Sequence, residues 1–274
     1  MSTSTPIGVF DSGYGGLTVL KEIEKLLPQY DFIYLGDNAR TPYGTRSFKT
    51  VYEYTLQSVQ WLFAQGCPLI ILACNTASAK ALRTIQQKDL PKYNDEKRVL
   101  GVIRPTAEII GNYTSSNQIG ILGTEGTVKS ESYLIEIEKN FPGIKVFQRA
   151  CPLWVPLVEN NEYESEGANY FIKKDIEALL NKSHEIDTVL LACTHYPLLL
   201  KKIKKYLPEE IKVISQGAIV AKSLKDYLIR HPQIEKNCSK NSGLQFFTTD
   251  SPQDFDKHSE IFFGKKVNSM HIDL

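Results

Sequence analysis

The chain has 274 residues, 42% hydrophobic and 23% charged, and its 32 Lys+Arg almost cancel 31 Asp+Glu to leave a formal charge of +1. That balance excludes the basic footprint of a nucleic-acid binder and the acidic composition of a disordered chain. No apolar run approaches the ~18 residues of a membrane span, and Met-Ser-Thr-Ser-Thr-Pro at the amino terminus lacks the basic and apolar regions of a secretory signal. The expectation is a cytoplasmic protein of one large or two small domains, with neither membrane nor nucleic acid as partner.

Short apolar runs alternate with segments of helical period. The first strand is predicted over Ile7 to Phe10, followed by a helix marked by Leu17, Leu20, Glu24 and Leu27 and stopped by Pro28. A strand over Asp31 to Leu35 precedes a second helix, Val51 to Ala64, which Gly66 ends. Further strands are predicted over Leu69 to Ala73, Val99 to Ile103, Gln118 to Leu122, Ile144 to Gln148, Thr188 to Ala192, Lys212 to Ile214 and Leu244 to Thr248. This βαβα alternation implies parallel sheets with helices on both faces. The polar stretches 87–98, 159–167 and 231–243 read as surface loops, and the first suggests a domain boundary near residue 98.

A faint internal repeat adds to this. The stretch from Ile7 to Gly13 can be laid on Ile119 to Glu125, and Leu72-Ala73-Cys74-Asn75-Thr76 on Leu191-Ala192-Cys193-Thr194-His195, at offsets of 112 and 119 residues. Two near-equal offsets in the same order predict two α/β halves of similar construction facing each other across a cleft.

The five cysteines, at 67, 74, 151, 193 and 238, contain no Cys-x-x-Cys, so neither a disulfide framework nor a four-thiolate metal site is expected. Cys74 and Cys193 each follow an apolar strand and precede a polar turn, the strand-end position at which open α/β sheets bind ligands. The structural alternative is that both simply pack, as buried thiols often do. As chemistry, two thiols of similar acidity on opposite walls suit removal of a proton from one face and its return to the other. Asp11 opens a glycine-rich turn, Val-Phe-Asp-Ser-Gly-Tyr-Gly-Gly, which either binds an anion or caps a helix. His195, two residues after Cys193, either assists a thiol or is satisfied structurally. Thr-Pro-Tyr-Gly at 41–44 and Thr124 either hold substrate polar groups or form turns.

Together these segments resemble the glutamate racemase family. The resemblance is carried by Gly-Val-Phe-Asp-Ser-Gly-Tyr-Gly-Gly-Leu-Thr-Val from 8, Tyr-Leu-Gly-Asp-Asn-Ala-Arg-Thr-Pro-Tyr-Gly from 34, Ala-Cys-Asn-Thr-Ala-Ser-Ala from 73, Gly-Thr-Glu-Gly-Thr-Val from 123 and Ala-Cys-Thr-His-Tyr-Pro-Leu from 192. It implies two flavodoxin-like α/β domains related by a pseudo-two-fold axis, one of residues 1–98 and 212–274 and one of 99–211, with the active site between them. It implies cofactor-independent racemisation of glutamate for peptidoglycan, with Cys74 acting as base on D-glutamate and Cys193 on L-glutamate. It assigns Asp11, Asp37, Glu159 and His195 to assisting the thiols or holding substrate. Ser12, Tyr43, Gly44, Asn75, Thr76, Thr124 and Thr194 are implied to bind the amino acid, no metal is called for, and a homodimer is the expected assembly.

Two departures accompany the resemblance. Where the family often has Ile-Asp-Ser, this chain reads Ile214-Ser215-Gln216-Gly217, so that loop receives no role. The first strand begins close to residue 6, so activation by a peptidoglycan precursor is not expected. The competing readings are racemisation of aspartate or a hydantoin, a decarboxylation using one cysteine, a two-domain amino-acid binding protein, and a thiol redox sensor.

Overall fold

The computed structural model describes residues 5–93 and 96–274. Residues 1–4, which include most of the stretch read for a signal, and residues 94 and 95 of the predicted 87–98 loop lie outside the described residues. The strands are β1 (Ile7–Asp11), β2 (Phe32–Gly36), β3 (Leu69–Leu72), β4 (Arg98–Gly101), β5 (Gln118–Gly123), β6 (Lys145–Ala150), β7 (Thr188–Ala192), β8 (Lys212–Ile214), β9 (Leu244–Thr248) and β10 (Ser269–His271). They form two sheets, in the orders β10-β9-β2-β1-β3-β4 and β6-β5-β7-β8, with every pairing parallel.

The central strands β1, β2, β3 and β7 are buried along their whole length, which is why they read as continuous apolar runs without alternation. The second helix starts three residues earlier than predicted, at Phe48, because Ser47 caps it by accepting from Thr50 N at 3.1 Å. Gly66, at φ +88°, turns the chain out of that helix into β3.

Numbered from its own first strand, each half has the same core order, 2-1-3-4, and β9 and β10 extend the first sheet beside β2. The repeat read from the sequence is therefore a repeat of pairing: Phe10 lies opposite Leu72 in the first half, and Leu122 lies opposite Leu191 in the second. In such an order the carboxyl ends of the first and third strands flank the point where the connections diverge, and ligands bind there. Asp11 and Cys74 occupy those ends in one half, and Gly123 and Cys193 in the other.

The expected division at 98/99 and 211/212 falls beside two edge strands. β4 pairs with β3 and so belongs to the first sheet, while β8 pairs with β7 and belongs to the second. The helix Gly217–Arg230 then crosses back and packs so closely on Leu17–Leu26 that a Cβ at Gly217 would meet Glu22 Cγ at 2.9 Å. One apolar core runs through both halves, from Leu20 and Tyr34 to Trp154 and Leu191, and two further clusters fill the remaining sheet faces. Of the predicted loops, 231–243 contains the short helix Pro232–Glu235, and Glu159 is not in a loop but ends the helix Trp154–Glu159.

Candidate active site

Cys74 stands where β3 gives way to the helix Asn75–Lys80 and caps that helix, its Sγ accepting from Ala77 N at 3.4 Å. Ser12, leaving β1, brings its Oγ to 3.5 Å from the same sulfur. Burial first, and then the neighbouring Asp11 carboxylate, push the Cys74 thiol up to about 12. At neutral pH Cys74 is therefore a protonated thiol, an acid rather than a base in the unliganded protein.

Cys193 follows β7 and has a different partner. His195 Nδ1 lies 3.9 Å from its sulfur, and His195 Nε2 donates to Glu159 Oε1 at 3.0 Å. Burial alone would depress this imidazole, yet its hydrogen bonds with Cys193 and Glu159 raise its pKa to about 10. An imidazolium held between a sulfur and a carboxylate is thus the resting state at pH 7.

Asp11 is fully buried behind the glycine turn, taking Gly13 N at 3.1 Å and Thr194 Oγ1 at 3.5 Å. Burial pushes its carboxyl up to about 6, with the His195 charge opposing. Asp11 sits next to Cys74 in one half and holds Thr194 of the other, so it links the surroundings of both thiols.

The two cysteines open onto one shared cavity between the halves, part of it open to solvent. Hydroxyls line it from both halves: Ser12 and Thr76 from the first, Thr124 and Thr194 from the second. Thr76 and Thr124 touch across the cleft, Oγ1 to Oγ1, at 2.9 Å. Tyr43 and Gly44 form another wall, tied to the second half by Gly126 N donating to the Gly44 carbonyl at 2.8 Å.

Three residues expected at the site stand behind it rather than on its wall. Asp37 is held by Arg40 Nε at 2.7 and 2.9 Å and by Thr249 Oγ1 at 2.9 Å, and it takes the Tyr43 hydroxyl, so among the described residues it meets the cavity through Tyr43. Among the described residues, Glu159 meets the cavity through His195, and Asp11 through Thr194, the Ser12 turn and its neighbour Cys74. Conversely Cys151, which lies in none of the motifs singled out above, lines the cavity with Pro152, Val155 and Pro156. These form an apolar wall, and no polar motif in the sequence advertised it.

Replacing Glu159 by Gln should lower the His195 pKa by about 1–3, because an opposite charge is removed. A histidine whose pKa is about 10 when folded and 6.5 when unfolded adds stability that is full below pH 6.5 and lost as pH rises through 10. Wild type is therefore expected to exceed Glu159→Gln in urea-unfolding free energy by about 1–4 kcal/mol at pH 7. That gap should close as pH passes 10, and a gap independent of pH would show that Glu159 does not set the histidine's charge.

Compared with known proteins, residues 7–224 match the family described as Asp/Glu/Hydantoin racemase, and the chain belongs to that family. It is accordingly an isomerase of the racemase class. Within the family its full-length likenesses are to glutamate racemases. The glutamate racemase of Geobacter metallireducens is 39% identical over 266 residues, covering 97% of this chain and 95% of that relative. The crystal structure of glutamate racemase isoform RacE1 from Bacillus anthracis superposes with a TM-score of 0.89 at 35% identity, covering 99% of this chain and 98% of that one. Glutamate racemase from Francisella tularensis, solved in complex with D-glutamate, superposes at 0.86 with 31% identity, over 99% of this chain and 98% of its own. The two-domain α/β architecture expected from the sequence is the one these structures share.

Proposed function

We propose that this protein interconverts L- and D-glutamate by a two-base 1,1-proton transfer at Cα, without a cofactor, and so supplies D-glutamate for peptidoglycan. The observation that carries this reading is the placement of Cys74 and Cys193 at equivalent strand ends of two like halves, both opening on one cavity.

In the L to D direction a Cys193 thiolate takes the α-proton, its charge balanced beforehand by the His195 imidazolium. The Cys74 thiol, protonated at rest, delivers its proton to the opposite face. The D to L direction begins from the reversed protonation, and exchange of both sulfurs with solvent resets the pair. The α-proton of an amino acid is far less acidic than a thiol, so most of the barrier must be met by groups arranged in advance around the developing carbanion. The hydroxyls of Ser12, Thr76, Thr124 and Thr194, with nearby backbone N–H groups, are suited to hold two carboxylates and an ammonium. Asp11, His195 and Glu159 set the electrostatics behind them, and Asp37 fixes Tyr43.

The test is circular dichroism of L-glutamate alone and of D-glutamate alone with the purified protein. The signal should decay to zero from both sides with no second substrate. Aspartate, one methylene shorter, should be turned over about 10–200-fold less efficiently. An unchanged signal with bound glutamate would make this a binding protein, and faster turnover of aspartate or a hydantoin would move it to another branch of the family.

A further inference from the structure

The loop Ile214-Ser215-Gln216-Gly217 received no role from the sequence, and the proposed chemistry does not use it. Gln216 is only 4% exposed, and both ends of its amide are engaged. Gln216 Nε2 donates to the Tyr133 hydroxyl at 2.6 Å, that hydroxyl donates to Asn75 Oδ1 at 2.7 Å, and Asn75 Nδ2 donates back to Gln216 Oε1 at 2.7 Å. The three side chains close a ring in which every bond runs the same way round. Gln216 Nε2 also reaches the Val102 carbonyl at 3.2 Å and Thr106 Oγ1 at 3.0 Å. Asn75 and Tyr133 are buried with it.

This ring has one consistent orientation. A backbone carbonyl only accepts, so Val102 requires the amide nitrogen of Gln216 on its side. Gln216 Oε1 then faces Asn75, which turns Asn75 Nδ2 toward it and Asn75 Oδ1 toward Tyr133. One Nδ2 proton of Asn75 is spent on the ring and the other remains. Asn75 lies between Cys74 and Thr76 and is itself on the cavity wall. Asn75 follows β3 of the first sheet, Gln216 follows β8 of the second and Tyr133 lies on the helix Ser132–Asn140, so the ring also ties the two halves together behind Cys74.

We propose that Gln216 is a positioning residue: through the ring it holds the Asn75 amide in the one flip that offers a donor to a substrate carboxylate. The inference rests on the glutamate reading above. Freed from the ring, Asn75 would sample both flips and set its oxygen against the carboxylate, acceptor against acceptor.

The experiment is a double-mutant cycle on L-glutamate turnover. Gln216→Met keeps the volume and removes the polar ends, and Tyr133→Phe deletes a single oxygen. Each is measured alone and on top of Asn75→Ala, with unfolding midpoints to check the fold. Gln216→Met should raise KM roughly tenfold or more with a smaller change in kcat. On top of Asn75→Ala it should change kcat/KM by less than about twofold. A Gln216→Met loss that persists in full in the Asn75→Ala background, or wild-type KM in both single variants, overturns the proposal. If wild type itself leaves glutamate unchanged, the glutamate reading fails, and the Asn75 side-chain amide protons still decide the ring by NMR. They should be a distinct, slowly exchanging pair in wild type and lose that protection in Gln216→Met; equal protection in both would overturn the role of Gln216.

Discussion

Cys74→Ala and Cys193→Ala should each lose racemisation by about 10³-fold or more, while each keeps slow wash-in of solvent deuterium into one enantiomer only. With one thiol left, a proton removed from one face can be returned only to that face, so exchange outlives inversion. Cys193→Ala should label D-glutamate and Cys74→Ala should label L-glutamate. The sulfur of Cys74 also caps the helix Asn75–Lys80, so its removal carries about 1 kcal/mol of stability, which an unfolding curve will register separately from the kinetics. Racemisation within tenfold of wild type in either variant would end the two-thiol account. Wash-in into both enantiomers by one variant would mean that the surviving thiol is not confined to one face.

Gly15→Ala should also be damaging, although it replaces no side chain of the site. A Cβ at Gly15 would sit 2.3 Å from Thr194 Oγ1 and 2.5 Å from His195 Nδ1, and both residues are buried and hydrogen-bonded. Gly15 is not among the positive-φ residues, so the backbone would accept alanine and only the space forbids it. The methyl must displace the imidazole nitrogen that faces Cys193 or push the glycine turn away from it, and a misplacement of about 1 Å costs on the order of 10² in rate. We expect kcat/KM to fall about 100-fold, with about 1–3 kcal/mol of stability lost to overpacking. Gly167→Ala, whose Cβ would meet, among the described residues, nothing closer than Ser165 Oγ at 3.5 Å, should leave both unchanged. Wild-type activity in Gly15→Ala would show that the exact seating of His195 and Thr194 does not matter to the reaction.

Much of this arrangement is legible in the residues themselves. Buried parallel strands such as Leu69-Ile70-Ile71-Leu72 announce themselves as apolar runs, and a repeated strand-end cysteine points to paired halves before any contact is known. Sheet membership is not legible in this way. Nothing in Arg98–Gly101 or Lys212–Ile214 states which sheet each joins, and only the pairings with β3 and β7 decide it. β10, three residues on an edge with two of them exposed, has no pattern to read. The depth of Asp37 behind Tyr43, the arrival of Cys151 at the cavity and the ring through Gln216 depend on side chains far apart in the chain, and only packing brings them together.

The central claim is that the proton leaving Cα and the proton arriving there travel through different groups on opposite faces. The most direct measurement is the α-hydrogen content of both enantiomers at low conversion, with L-glutamate as substrate in D2O, the two separated by chiral chromatography and weighed by mass spectrometry. Two bases predict that the D-glutamate formed carries deuterium at Cα from the first turnover while the unreacted L-glutamate keeps its proton. D-glutamate that retains the original proton, or deuterium entering the L-glutamate pool as fast as product forms, would mean that one group serves both faces and would contradict the account.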